Sequence, residues 1–473
     1  MSLASNVFKN TFYQIVGKGL GLLFGLATVA LMTRYLGREG FGFYTIAVSY
    51  LQFFGTLVDF GLQMATAQML SRPGVDEKRL FGVILLLRLV SAFLFLGLGA
   101  GLIWLMPYGL EVKSGAMIVV FSFFFIALQS VLIGLYQKHL AMAEVAMAEI
   151  AGRAILFFGV WLAIMGDYGF YAIMISVTLG SAVNFLWLFI KSKKYLRYQL
   201  LWDKKMALDV WHVSWPLAIT ISLSLVYFRA DTIILSFFRP ADQVGLYGSA
   251  YKVLEIVTQF PYLFLGLMLP LMSNFYITAK ELYRQTIQKS FDFLSIIAVP
   301  MVFGTWCLAE KIMVFVAGKD FISAGGPLAI LIVGAGLIYF GALFGYALVA
   351  SGLQKKMIAV YLFDAVFSIV AYLLFIPLYG FWAAAILTVM TEAIITFGAW
   401  RILTKETKTI LNFRVFIKAI LASVLMSAVL LLLSGENLLT LLLVGVLVYF
   451  VSLYAFRGYR WSDISLLAGL KKS

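Results

Sequence analysis

Arg34-Tyr-Leu-Gly-Arg-Glu-Gly-Phe-Gly-Phe-Tyr44 is a short polar turn between two long apolar segments, and part of it returns later in the chain. Gly42-Phe-Tyr44, with Ala47 and Leu51 behind it, recurs as Gly245-Leu-Tyr247 with Ala250 and Leu254. Each copy stands where one apolar segment ends and the next begins. A second pair, Tyr168-Gly-Phe-Tyr-Ala172 and Tyr379-Gly-Phe-Trp-Ala383, lies at nearly the same separation. Two matches at nearly one offset mark the chain as two copies of one unit, about 200 residues apart.

With 63% hydrophobic and 12% charged residues and a mean hydropathy of +0.99, the chain cannot hide its apolar side chains in a water-soluble core. Its composition is that of a polytopic membrane protein. Apolar segments of about 20 residues, enough to cross roughly 30 Å of hydrocarbon, recur along the chain and number about fourteen. Residues 1–10 lack the basic run, short apolar core and cleavage site of a removable signal, so the first helix is expected to stay in the protein. Cys307 is the only cysteine and His139 and His212 the only histidines, which argues against a disulfide or a metal cluster. No cofactor is expected beyond a coupling ion.

The net charge of +14 falls in the connecting loops, where retention of Lys and Arg on the cytoplasmic side explains it without nucleic acid. Arg72, Lys78, Arg79, Lys138, the run from Lys191 to Lys205, Lys280, Arg284, Lys355 and Lys356 occupy alternate loops. Both termini are therefore expected to be cytoplasmic, in a multi-pass protein of the cell membrane, and the repeated Gly-Phe/Leu-Tyr turn faces outward. The expected organisation is a six-helix lobe over residues 1–192, a cytoplasmic linker over 193–210, a second six-helix lobe over 211–403, and two extra helices with a tail over 404–473. An even number of segments per copy makes the copies enter the membrane in the same direction, related by a twofold axis along its normal. The linker interleaves Lys and Arg with Tyr195, Tyr198 and Trp202; this pattern suits a helix lying in the interface, or else a solvated connection. Gly17, Gly19, Gly21 and Gly25 surround Lys18. No preceding strand or closing Gly-Lys-Ser/Thr makes this a phosphate loop, which leaves close helix packing or a hinge. Pro216, Pro261 and Pro270 predict bent helices in segments seven and eight.

Charges within the spans are expensive, each costing about 2.5–3.5 kcal/mol at the centre on insertion scales. Lys18, Asp59, Arg88, Arg229, Asp231, Lys252, Glu255, Asp364 and Glu392 fall there. Arg229 and Asp231 lie roughly 10–14 Å, and Lys252 and Glu255 roughly 10–15 Å, from the outer ends of their segments. These four share one level. They form either ion pairs that pin two helices together or a polar cavity whose bases, Lys18, Arg229 and Lys252 with Arg34 at the outer turn, hold an anion. Asp59, Asp231 and Glu255 are then candidates for taking up H+ or Na+. Arg88, Asp364 and Glu392 read as internal packing partners.

The order and spacing of Arg34-Tyr-Leu-Gly37, Gly40-Phe-Gly-Phe-Tyr44, Gly245-Leu-Tyr247, Gly352-Leu-Gln-Lys-Lys356 and Pro377-Leu-Tyr-Gly380-Phe-Trp-Ala-Ala384 resemble the multidrug/oligosaccharidyl-lipid/polysaccharide exporter superfamily. Within it, the resemblance is to the lipid-linked oligosaccharide flippases of the O-antigen type. It implies two six-helix lobes around a central cavity, alternating access, bases that engage a polyprenyl diphosphate, and an apolar groove for the lipid tail made by the last two helices. The partners it implies are an undecaprenyl-diphosphate-linked oligosaccharide, membrane lipids and other membrane proteins of polysaccharide assembly. An H+- or Na+-coupled drug exporter of the same fold is the alternative, but three candidate bases suit an anion better than a cationic drug. A membrane glycan polymerase or ligase fits less well, because the outward loops are short and carry no cluster of His, Asp and Arg.

Overall fold

A computed structural model describes residues 3–59, 61–70, 74–196 and 198–458, with the side chains of 3–16, 18, 64, 67 and 216–229 outside the description. All major elements among these residues are helices: α1 (Leu3–Asp59), α2 (Leu62–Leu70), α3 (Glu77–Leu102), α4 (Leu110–Lys138), α5 (Met142–Met165), α6 (Gly169–Ser192), α7 (Lys204–Phe238), α8 (Ala241–Val257), α9 (Gln259–Thr278), α10 (Lys280–Ala317), α11 (Gly325–Ala350), α12 (Ile358–Tyr379), α13 (Phe381–Thr407), α14 (Arg414–Leu432) and α15 (Leu438–Ala455). Among the described residues, 12 helical stretches are long and apolar enough to span a membrane. Gly37, at φ 66°, divides α1 into two arms. With that division and with α7 included, the fourteen segments expected from the sequence are accounted for. The chain forms two compact units, residues 1–248 with 372–380, and residues 249–371 with 381–473.

In the first unit the repeated glycines meet. A Cβ at Gly42 would overlap the Ala241 carbonyl, and one at Gly245 would overlap the Arg38 carbonyl. The second arm of α1 and the start of α8 thus cross with their backbones touching, and each glycine faces the carbonyl four positions before the other. Only glycine permits this approach. The second repeated motif has a backbone reason as well: Gly169 and Gly380 both take positive φ, 74° and 58°, as left-handed turns between helices require. The Tyr35 hydroxyl donates to Asp167 Oδ1 (2.7 Å) and accepts from the Gly169 N–H (3.0 Å), while Arg239 donates to the Pro377 and Leu378 carbonyls (3.0 and 2.8 Å). In each copy, a side chain near the end of the helix before the first motif holds the turn of the second. Of the early glycines, Gly17, Gly21 and Gly25 leave room for Ala146 and Arg153 of α5. Packing is therefore their role here, and Gly37 is the non-helical residue within α1.

Helix breaks expose carbonyls that lipid cannot satisfy. Between α1 and α2, near Gly61 (φ 71°), the Val58 carbonyl accepts from Arg88 Nη1 at 2.7 Å. Pro261 cannot donate to Val257, and the Tyr339 hydroxyl of α11 does so instead at 3.0 Å. Pro300 inside α10 likewise frees the Ile296 carbonyl, which accepts from Tyr449 of α15 at 2.9 Å. The expected bend in segment eight is a break between α8 and α9 at Thr258. The bend expected at Pro216 falls on a side chain outside the described residues.

The linker is not an interfacial helix. Its described residues between Lys193 and Asp203 form a turn and then a non-helical strap, and α7 begins at Lys204. Two of the three aromatic residues that suggested the interface are bound to protein, Tyr198 on Phe81 (centroids 4.7 Å apart) and Tyr195 on Tyr136, with Leu196 between them buried in the core of the first unit; Trp202 stays exposed. Asp203 ends the strap, capping α7 through the Met206 N–H (3.1 Å) and pairing with Arg79 (2.8 Å). The Met206 N–H and then the Arg79 guanidinium hold its carboxyl below the usual carboxylate range.

Tyr339→Phe and Tyr449→Phe are each expected to strand a buried carbonyl and to lower stability by about 1–3 kcal/mol. Thermal unfolding in detergent reads the loss, with the exposed Tyr171→Phe as an unchanged control. At the end of α4, Leu140 takes φ 51°, in the same turn that Gly352 forms at φ 73° after α11. Leu140→Gly is expected to stabilise the protein by about 0.5–1 kcal/mol, the left-handed penalty less the chain entropy of glycine; a lower unfolding temperature would contradict that account.

Candidate functional site

The charges within the spans are mostly paired. Arg88 is buried, and besides holding the Val58 carbonyl it bridges to Asp59 at 2.5 Å. The packing role expected of Arg88 is what the structure shows, and Asp59 is its partner. Asp231 accepts from the Thr232 N–H and hydroxyl and from the hydroxyl of Tyr247, the tyrosine of the repeated turn. In the second unit Lys252 and Glu255, three apart on α8, bridge at 2.8 Å and are both partly accessible. Arg34 is exposed and donates from Nη1 to the Ala30 carbonyl of its own helix at 2.9 Å, where the cation meets the negative end of the first arm of α1. The side chains of Lys18 and Arg229 lie outside the described residues.

Asp364 departs from the packing role expected of it. It is buried, and neither of its carboxylate oxygens has a hydrogen-bond partner among the described residues. Glu392 of α13, also buried, is near enough for the two charges to interact, and Tyr262 and Tyr361 also lie within range of Glu392. Two acids and two phenols, with no base paired to either acid among the described residues, make this part of the second unit chemically different from the ion pairs elsewhere. The sequence displayed both carboxylates but gave no sign that they lacked a cation.

A second feature of this unit is apolar. The last two helices pack on α10 through Val299, Leu308, Met426, Leu430, Leu441 and Tyr449. Beside that core runs a groove of about 350 Å³ bordered by Pro300, Gly304, Met426, Leu441, Gly445 and Phe450. Of its two hydroxyl-bearing residues, Thr305 and Tyr449, Tyr449 is committed to the Ile296 carbonyl. Val446 and Phe450 remain exposed along the rim, so the groove presents hydrocarbon to hydrocarbon. Cys307 is partly buried and packs against the same core.

Comparison with known proteins agrees with this architecture. The profile of the family described as "Polysaccharide biosynthesis protein" matches residues 7–276. The succinoglycan biosynthesis transport protein ExoT of Rhizobium meliloti (strain 1021) is 21% identical over 344 residues, which cover 71% of this chain and 67% of that protein. In fold, the chain is similar to the lipid II flippase MurJ in an inward closed conformation, with a TM-score of 0.78, 16% identity, and coverage of 93% of this chain and 98% of the other. It is also similar to a multidrug resistance MATE family transporter in an inward-facing conformation, with a TM-score of 0.67, 15% identity, and coverage of 82% and 95%. The repeated glycine turns, the broken helices and the fourteen apolar segments thus accompany a family match over more than half of the sequence: the chain belongs to the polysaccharide biosynthesis protein family.

Proposed function

We propose that this membrane transporter is a flippase that carries a polyprenyl-diphosphate-linked oligosaccharide from the cytoplasmic to the outer leaflet by alternating access between two six-helix lobes. The observation that carries this reading is the apolar groove formed by α10, α14 and α15. A cargo with a long hydrocarbon tail needs such a surface while its polar head moves; a small drug does not. The transport role and the sugar chemistry named for the succinoglycan relative support the same reading. The fold similarity to a multidrug transporter keeps drug export as the competing function.

The diphosphate requires cations. Lys252 is partly accessible within its pair with Glu255, and a doubly charged phosphate competes with a single carboxylate for its ammonium group. Lys18 and Arg229 join it on the sequence argument alone. For energy coupling, Asp59 and Glu255 already have cationic partners and Asp231 has hydroxyl and N–H donors. Asp364 with Glu392 is the better candidate, since two buried acids with no base paired to them among the described residues call for a proton or a metal cation between them.

Native mass spectrometry of the purified protein, offered an undecaprenyl-diphosphate-linked saccharide and a cationic dye, separates the two functions. Preference for the diphosphate lipid is expected. Lys252→Ala is expected to weaken that binding by about tenfold, or 1.4 kcal/mol; preference for the dye would replace the flippase with a drug exporter. Asp364→Asn is expected to leave lipid binding intact and to abolish transport driven by an ion gradient in proteoliposomes. Gradient-driven transport at the normal rate in that variant would remove Asp364 from the coupling mechanism.

A further inference from the structure

Inside the first unit, away from the charges considered so far, α1, α4, α5 and α6 enclose a cavity of about 500 Å³, within the range of small-molecule sites. Its lining mixes polar side chains with apolar ones, and among the described residues its two charges balance. Glu149 and Arg153 pair across one turn of α5, with Arg153 Nη2 and Nε both donating to Glu149 Oε1 at 2.8 and 3.1 Å; Arg153 Nη1 donates to the Gly21 carbonyl at 2.8 Å. Glu149 balances the charge of the guanidinium, and its three hydrogen bonds hold it in place.

Around this pair, hydrogen-bonding capacity goes unused. Gln129 Oε1 is buried with no partner, and the Asn184 amide and the Tyr44 hydroxyl, which both line the cavity, make no hydrogen bond among the described residues. A buried polar group left unsatisfied costs about 1–3 kcal/mol, so Gln129 Oε1 calls for a polar occupant, and the half-buried Asn184 and Tyr44 offer that occupant further partners. Amide and phenol groups both donate and accept, and the rings of Tyr44 and Phe123 add apolar walls. Balanced charge, mixed donors and acceptors, and aromatic faces match a polyhydroxylated, uncharged ring.

The internal repeat shows how the space arises. Thr28 stands as far before Gly42 as Asp231 stands before Gly245, and Tyr44 is the counterpart of Tyr247. In the second copy the tyrosine and the aspartate close on each other through a hydrogen bond. In the first copy Thr28 turns its hydroxyl to the Phe24 carbonyl (2.7 Å), and both residues border the cavity instead. The same two positions bond to each other in one copy and border a cavity in the other.

We propose that this cavity is a subsite for a neutral hexose of the cargo, distinct from the bases that take its diphosphate; the inference rests on the flippase reading. The experiment uses the full-length protein in nanodiscs, with undecaprenyl diphosphate either bare or bearing a neutral glucose–galactose disaccharide. The wild type is expected to bind the glycosylated lipid at least tenfold more tightly. Tyr44→Phe, which preserves the ring and its packing, and Asn184→Ala are each expected to reduce that preference to threefold or less without changing affinity for the bare lipid. Equal wild-type affinity for the two lipids would overturn the subsite while leaving the flippase reading standing, and so would variants that keep the full preference or that weaken both lipids alike. Tighter binding of a hexuronate-bearing lipid than of the neutral one would overturn the neutral class. Failure of either lipid to bind would remove the flippase and the subsite together.

Discussion

Two backbones touch where Gly42 of α1 meets the start of α8 and Gly245 meets the arm that carries Gly42. No side chain fits between them, so the crossing is fixed by the absence of a Cβ on both sides rather than by any attractive pair. Much of the first unit is arranged from that point. The arms before and after Gly37 take their directions from it, Tyr35 and Arg239 lie close enough to hold the two positive-φ turns, and Tyr44 and Tyr247 are carried to their different fates beside Thr28 and Asp231. A repeated motif that serves as a backbone contact also explains why its two copies agree in glycine and tyrosine and differ in the residue between them.

The second constraint is that hydrocarbon accepts no bare carbonyl. Breaks near Gly61 and Thr258 and the proline at position 300 each release one, and each is taken by a side chain from another helix: Arg88, Tyr339 and Tyr449. These donors turn local weak points into tertiary contacts. Tyr449 carries a further consequence, because a hydroxyl spent on Ile296 leaves the groove of α10, α14 and α15 almost free of polar atoms. The apolar surface proposed for the lipid tail and the proline kink behind it are thus one piece of construction.

The spans were legible in the sequence almost to their ends, because runs of about 20 apolar residues allow few other structures. The repeat was legible too, through Gly42, Gly245, Gly169 and Gly380. What the sequence lacked was partnership. Arg88 and Asp364 look alike as isolated charges within spans, yet one is held through Nη1 and Nη2 by the Val58 carbonyl and Asp59, while neither carboxylate oxygen of the other has a hydrogen bond among the described residues. The stretch of Lys, Arg, Tyr and Trp in the linker carries an interfacial signature, but Tyr195, Leu196 and Tyr198 find protein surface instead of headgroups. The polar cavity was invisible for a different reason. Thr28, Tyr44, Gln129 and Asn184 come from separate helices, carry no charge and form no motif, so only folding brings them to one space.

The most direct measurement is transport itself: the purified protein in proteoliposomes that contain an undecaprenyl-diphosphate-linked oligosaccharide, with a lectin or glycosidase added outside to count the sugar that has changed leaflet. The account predicts protein-dependent appearance of the saccharide in the opposite leaflet, abolished when the glycan-bearing diphosphate is replaced by a cationic drug as cargo. Efflux of the drug with no movement of the lipid-linked sugar would contradict it.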